Sequence, residues 1–196
     1  MRNWARPHCG FPALYLLSDP QRLPDPVPAA ARLPVGAAVV ARGLAPAVLL
    51  RLVATVRRHR LRLLVSGDGR LALRLAAGLH LPDRRGTAGL LPFLLARRRS
   101  PHLRPLTVAA HGRAGLSRAR RLDATAIILS PVFPTLSHPG ARALGPLRWA
   151  ALAARAGRHP VVALGGVTRA NAARLPPRAA GIAAIGGLSG GPARGR

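Results

Sequence analysis

Eight short runs of largely apolar residues, broken only by single polar positions such as Arg62, His80 and Thr107, recur at nearly even spacing along this 196-residue chain, and they limit its possible folds more than any other feature. They occupy 13–18, 37–41, 61–65, 78–81, 106–110, 126–129, 161–164 and 182–185. A strand with one wet face alternates apolar and polar residues. A run that is apolar at nearly every position is covered on both faces, as in a parallel sheet with crossover helices.

The intervening stretches read mostly as helices. Between 46 and 60, Val48, Leu49, Leu52, Val53 and Val56 share one face, with Arg51, Arg57 and Arg58 opposite. Stretches 71–77, 89–99, 115–122, 146–156 and 169–175 follow the same rule. Pro46 and Pro146 suit first helical turns, and Thr168 suits an N-cap. Strand and helix alternating over eight units predict a (β/α)8 TIM barrel over residues 13–188. Residues 1–12 form an N-terminal extension and 189–196 a flexible Gly/Arg tail. Five prolines between 20 and 34 leave room for only a short first crossover helix. The glycine-rich end after Ile185 cannot build an eighth helix, so the last helix is expected to be truncated or missing. A second subunit in a homo-oligomer is one way to cover the last strand.

With 49% hydrophobic residues the chain can bury a core without disulfides. Cys9 is the only cysteine, which excludes a disulfide framework and a Cys-x-x-Cys redox pair and suits the cytoplasm. All 31 basic residues are arginine, glutamate is absent, and the five aspartates leave a net charge of +26. Without lysine there is no Schiff-base chemistry, and carboxylates for general-base or metal work are scarce. Coding bias explains the arginine excess as readily as selection does. Arg57-Arg58-His59-Arg60 with Arg62, Arg97-Arg98-Arg99, and Arg118 with Arg120-Arg121 fall near helix ends and read as solvated outer surface. The six aromatic residues are scattered, so nucleic acid is expected to bind only nonspecifically. No segment reads as a membrane span.

In a parallel barrel the site lies just past the strand C-termini. Gly165-Gly166-Val167-Thr168 follows the seventh run and Gly186-Gly187 the eighth, where barrels commonly hold phosphate on backbone N–H groups. A Gly-Gly pair by itself also reads as turn punctuation. After the sixth run comes Ser130-Pro131-Val132-Phe133-Pro134-Thr135-Leu136-Ser137-His138, a stiff loop bearing hydroxyls. His111, after the fifth run, is either an acid/base group or a histidine bonded to a neighbouring strand. His80 reads as a structural barrel residue. His8, His59, His102 and His159 lie in loops or charged stretches with no specific role.

The loop from Ser130 to His138, together with Gly165-Gly166-Val167-Thr168-Arg169-Ala170-Asn171-Ala172, resembles the thiamine phosphate synthase and thiazole tautomerase family. Leu14-Tyr15-Leu16-Leu17-Ser18-Asp19, Gly78-Leu79-His80-Leu81 and Val108-Ala109-Ala110-His111 extend the likeness over roughly residues 13–188. The resemblance implies a barrel enzyme that joins a hydroxymethylpyrimidine diphosphate to a thiazole phosphate and releases diphosphate held by Mg2+. It implies that Gly165, Gly166, Gly186 and Gly187 hold the thiazole phosphate. Ser130, Thr135 and Ser137 fall at the thiazole site, and His138 stands where the family has a diphosphate-binding lysine. Arg42 matches a family arginine, while Val40 and Leu44 replace its flanking glutamine and lysine.

For Mg2+, the family's carboxylates fall near Gly67, Asp68 and Arg85, leaving Asp68 and Asp83 as the nearby ligands. The scarcity of carboxylates keeps open a metal-independent thiazole tautomerase with His111 as the proton shuttle, as well as a noncatalytic barrel that binds phosphates or polyanions.

Overall fold

The computed structural model describes residues 11–83, 86–135 and 143–185. Eight strands close into a parallel barrel in chain order. They are β1 (Leu14–Leu17), β2 (Ala38–Ala41), β3 (Arg62–Ser66), β4 (Gly78–Leu81), β5 (Leu106–Ala110), β6 (Ala126–Leu129), β7 (Val161–Leu164) and β8 (Ala179–Ala184). The helices between them are α1 (Val27–Ala30), α2 (Pro46–Arg58), α3 (Gly69–Arg74), α4 (Leu90–Arg99), α5 (Arg113–Arg121) and α6 (Gly145–Ala154). Every expected strand is present, and β8 begins three residues earlier than its apolar run. No helix among the described residues is long and apolar enough to cross a membrane.

Two layers of apolar side chains account for the apolar runs. Leu16, Val39, Leu63, Leu79, Val108 and Ile127 point outward into the belt beneath the helices, where Leu52, Phe93, Leu116 and Trp149 meet them. The alternate positions Tyr15, Leu17, Val40, Leu64, Ile128 and Val162 fill the lumen, together with the small Ala38, Ala126 and Ala183. Burial raises the pKa of the Tyr15 phenol, partly offset by the charge of Arg62.

The crossover helices follow their local chemistry. Among prolines, α1 is a single turn. α2 buries Leu52 and Val56 as its apolar stripe predicts. The expected helix over 169–175 is only a 3-10 turn, Ala172–Arg174. Asn171 N–H donates to Thr168 Oγ1 at 3.3 Å and Thr168 N–H to Asn171 Oδ1 at 2.8 Å, the reciprocal pattern of a helix start, so Thr168 caps as expected, and Pro176-Pro177 stops the turn it opens. The expectation of a missing eighth helix falls on 186–196, outside the described residues. The buried part of the chain already includes Phe11, and Ala13 O accepts a 2.8 Å bond from Ile182 N–H.

His159 is a correction. It is buried, with Nδ1 2.9 Å from the carbonyl of Ala124, and so ties the entry of β7 to that of β6.

His80 and Thr107 face the lumen on neighbouring strands and are hydrogen bonded at 2.9 Å, Nδ1 to Oγ1. Burial, aided by the positive charges of Arg42 and Arg118, pushes the His80 pKa down to about 3. The unfolded chain therefore holds a proton that the folded chain refuses between about pH 6.5 and pH 3. Acidification through that window should destabilise the fold by about 1.4 kcal/mol per pH unit from this residue alone. Urea midpoints of wild type and His80→Gln, taken between pH 7 and pH 4, should converge as the pH falls. Parallel curves would show that His80 does not titrate on unfolding.

A Cβ on Gly115 would lie 2.7 Å from Ala110 Cα and 2.8 Å from its Cβ, so α5 rests on β5 only because residue 115 has no side chain. Gly115→Ala gains up to about 1 kcal/mol of helix propensity. Overpacking against backbone costs about 1–3 kcal/mol, so a lower urea midpoint is expected.

Candidate active site at the barrel mouth

The strand C-termini deliver the expected residues to one end of the barrel. Ser18 and Arg42 lie just past the adjacent strands β1 and β2 and are stitched together. Arg42 N–H donates to Ser18 Oγ at 2.7 Å, and Ser18 Oγ–H donates to Arg42 O at 3.0 Å. The Arg42 guanidinium then reaches Asp19 Oδ2 at 3.1 Å. Both oxygens of Asp19 are engaged, because Oδ1 accepts from the backbone N–H groups of Gln21 and Arg22 at 3.2 and 3.1 Å. Asp19 thus orients Arg42, a planar donor suited to phosphate, at the edge of the mouth. Arg118, read from sequence as outer surface, instead spans from α5 to the mouth and donates to Pro82 O at 2.9 Å. Its charge and that of Arg42 both act on His80.

His111 follows β5 and Asp83 follows β4. Their side chains meet, Nδ1 to Oδ2, at 2.7 Å. With the carboxylate ionised, the ring donates from Nδ1 and leaves Nε2 as the base. The Asp83 side chain is mostly shielded, while that of His111 is about half exposed at 47%. A histidine open to the mouth and fixed by a carboxylate behind it is a competent proton-transfer group.

Asp68, after β3, has a local duty. It is the N-cap of α3, with Oδ1 accepting from Leu71 N–H at 2.9 Å. Asp68 and Asp83 thus share a feature that Asp19 lacks. One oxygen of each is held by the protein, and the other has no hydrogen-bond partner among the described residues. That donor set fits Mg2+, a hard cation that takes one or two carboxylates and completes its shell with water and substrate phosphate. No group of three or more His, Cys, Asp or Glu side chains is placed to hold a metal among the described residues, so a substrate's oxygens would have to contribute.

The loops after β6 and β7 interlock. Val132 N–H donates to Leu164 O and Phe133 N–H to Gly165 O, both at 3.0 Å, while Trp149 Nε1–H donates to Leu129 O at 3.0 Å from behind. Gly165 and Gly166 adopt φ of +97° and +62°. A Cβ on Gly165 would lie 2.7 Å from Pro131 Cα, and one on Gly166 would collide with Pro134 O. The paired glycines are therefore required by contact between the two loops, whatever phosphate their N–H groups meet. Asn171 Nδ2 donates to Gly166 O at 2.8 Å, and the Arg174 guanidinium lies 5.8 Å from the Phe133 ring centre. Ser130 is buried at the exit of β6, and Thr135 is partly buried in its loop. Ser137, His138, Gly186 and Gly187 lie outside the described residues, as does Arg85.

Sequence reasoning named Arg42, Asp83 and His111 but missed their pairings, and it missed Ser18 and Asp19 as supports. A signal was available. Adjacent strands put their exits side by side, so Asp19 just past the first run and Arg42 just past the second must be neighbours.

The barrel is shared with solved enzymes. Thiamine phosphate pyrophosphorylase from Pyrococcus furiosus superposes with a TM-score of 0.69 at 23% identity, over 91% of this chain and 88% of that one. A 4-hydroxy-2-oxoglutarate aldolase gives 0.59 at 18% identity, over 88% and 83%. A 3-hexulose-6-phosphate synthase gives 0.57 at 15% identity, over 88% and 89%. At these identities the likeness establishes the fold. The family model described as thiamine monophosphate synthase matches residues 44–188, from the entry of α2 through the last strand, and on that match the chain belongs to the thiamine monophosphate synthase family.

Proposed function

We propose that this chain is a cytoplasmic enzyme of thiamine biosynthesis that joins a hydroxymethylpyrimidine diphosphate to a thiazole phosphate at the barrel mouth and releases diphosphate. One observation beyond family membership carries the reading. Of five carboxylates in a chain of charge +26, three (Asp19, Asp68 and Asp83) directly follow β1, β3 and β4, and two of them keep an oxygen free of hydrogen bonds among the described residues. Such concentration where anionic substrates must bind opposes binding unless a cation sits between them. Asp68 and Asp83 would hold Mg2+, which when bound neutralises the leaving diphosphate. Arg42, aimed by Asp19, grips a phosphate oxygen of the diphosphate. Ser130 and Thr135 contact the thiazole, whose phosphate lies on the turn through Gly165 and Gly166. The bond from the pyrimidine methylene to the diphosphate oxygen breaks, and the thiazole nitrogen bonds to that methylene.

The 2.7 Å pair of His111 and Asp83 favours a second reading, a metal-independent proton shift on a thiazole. There Asp83 holds the imidazole and His111 Nε2 moves the proton.

Incubation with both phosphorylated substrates, with and without Mg2+, followed by fluorescence of oxidised thiamine phosphate, separates the two. The proposed synthase gives Mg2+-dependent product. Asp68→Asn should raise the Mg2+ concentration for half-maximal rate by about 10–100-fold, a cost typical even of losing an outer-sphere partner. His111→Gln should leave that product largely intact. If instead no product forms, while a thiazole carboxylate phosphate exchanges its proton with deuterium and His111→Gln slows that exchange by about 10²–10⁴-fold, the tautomerase reading replaces the synthase.

A further inference from the structure

A cavity of about 300 Å3 opens on the opposite end of the barrel from the mouth, at the entry of β3 and β4. Its size is at the lower end of small-molecule sites, roughly 300–1,000 Å3. Val53 and Val56 of α2, with Leu63 and Leu75, make an apolar floor, and Leu103 overhangs the rim, 61% exposed. Arg57, Arg60 and Arg62 converge on the same space. Among the described residues, none of these three side chains makes an ion pair or hydrogen bond. The five aspartates do not line it.

Two further features bear on this cavity. Arg60 and Ala76, both on its wall, have φ of +52° and +50°, a conformation that residues with side chains rarely adopt and that among the described non-glycine residues recurs only at Asp123, after α5. They end α2 and α3 where glycine is the usual choice, so both positions bear side chains against the cavity at a backbone cost. Three like charges around one apolar hollow also repel each other, and an anion bound among them removes that repulsion.

We propose that this cavity is a second binding site, separate from the mouth, for a small amphiphilic anion: a carboxylate or phosphate ester carrying an alkyl chain or single aromatic ring. The apolar body lies on Val53, Val56 and Leu75. The head is shared by Arg60 and Arg62, with Arg57 closing over it from the last turn of α2. Both halves are necessary, since the floor has no donor for a free anion and the rim repels a cationic amphiphile.

Octanoate is the probe, with octanol and inorganic phosphate as single-feature controls. Titration calorimetry and methyl NMR should show one saturable octanoate site whose shifts centre on Val53, Val56, Leu61 and Leu63. Octanol and phosphate should bind about tenfold more weakly or not at all. The triple variant R57Q/R60Q/R62Q, checked for folding by thermal melting, should weaken octanoate about tenfold. Val53→Phe, which fills the floor and leaves every charge in place, should do the same and covers the case where the triple variant fails to fold. Octanoate binding that is absent at millimolar concentration, exceeds one equivalent, or survives both changes would overturn the proposal.

Discussion

The return of β8 onto β1 is the constraint on which the rest of the structure depends. Leu14 pairs with Ile182, Tyr15 with Ala183 and Leu16 with Ala184, and with that ladder in place the sheet has no edge. Each strand then has one face in the lumen and one under the helices, both buried, so polar residues on either face are few and must be paired, as His80 and Thr107 are. Closure also limits lumen volume. The large Tyr15, Leu17, Leu64 and Ile128 are accommodated because Ala38, Ala126 and Ala183 stand on neighbouring strands. The one polar pair described there, His80 with Thr107, satisfies itself and stays uncharged near neutral pH. A charge does not fit in such a space, which is why the arginines of β2 and β3 lie at strand ends. Arg42 is at the exit and Arg62 at the entry.

That logic explains which features the sequence revealed. All eight strands could be read because continuous burial leaves largely apolar runs, and α2 because one apolar stripe faces the sheet. The start of β8 was obscured by Ala179, Ala180 and Gly181, small residues with too little contrast to mark a strand. The helix expected after β7 is only a 3-10 turn although Thr168 and Asn171 cap its start, because Pro176-Pro177 leaves no room for a second turn, a limit that apolar periodicity does not register. In the candidate site, residue types were legible and partnerships were not. Asp83 and His111 are 28 positions apart, and only the adjacency of β4 and β5 brings them together. Asp68 combined two readings, because its position past β3 marks the mouth while the Leu71 N–H three residues on marks a helix cap.

The distribution of charge also follows from the topology. Strands run toward the mouth and helices run back, so every helix C-terminus lies at the opposite end of the barrel. Arginine in the last turn of a helix is favoured by the backbone dipole, and α2, α3, α4 and α5 all end that way. A basic far face is the automatic result. Asp123, at that far end, is answered by Arg158 at 2.8 Å, whereas Asp19, Asp68 and Asp83 gather at the other.

It follows that the net charge of +26 says little about how tightly the mouth binds phosphate. Strands of four to six residues at about 3.3 Å per residue separate the two ends by roughly 13–20 Å. Screening at physiological ionic strength acts over about 8 Å, so the arginines of the far face are largely invisible at the mouth. Under the proposed function, attraction there would rest on groups at that end: Arg42 and Arg118, the arginines at the helix N-termini such as Arg70 and Arg113, the N–H groups of the glycine turn, and a cation on Asp68 and Asp83. The excess arginine can hasten encounters with anions at low salt. In the proposed function, the strength and selectivity of substrate binding would then be set by the local pairings of Asp19 with Arg42 and of Asp83 with His111.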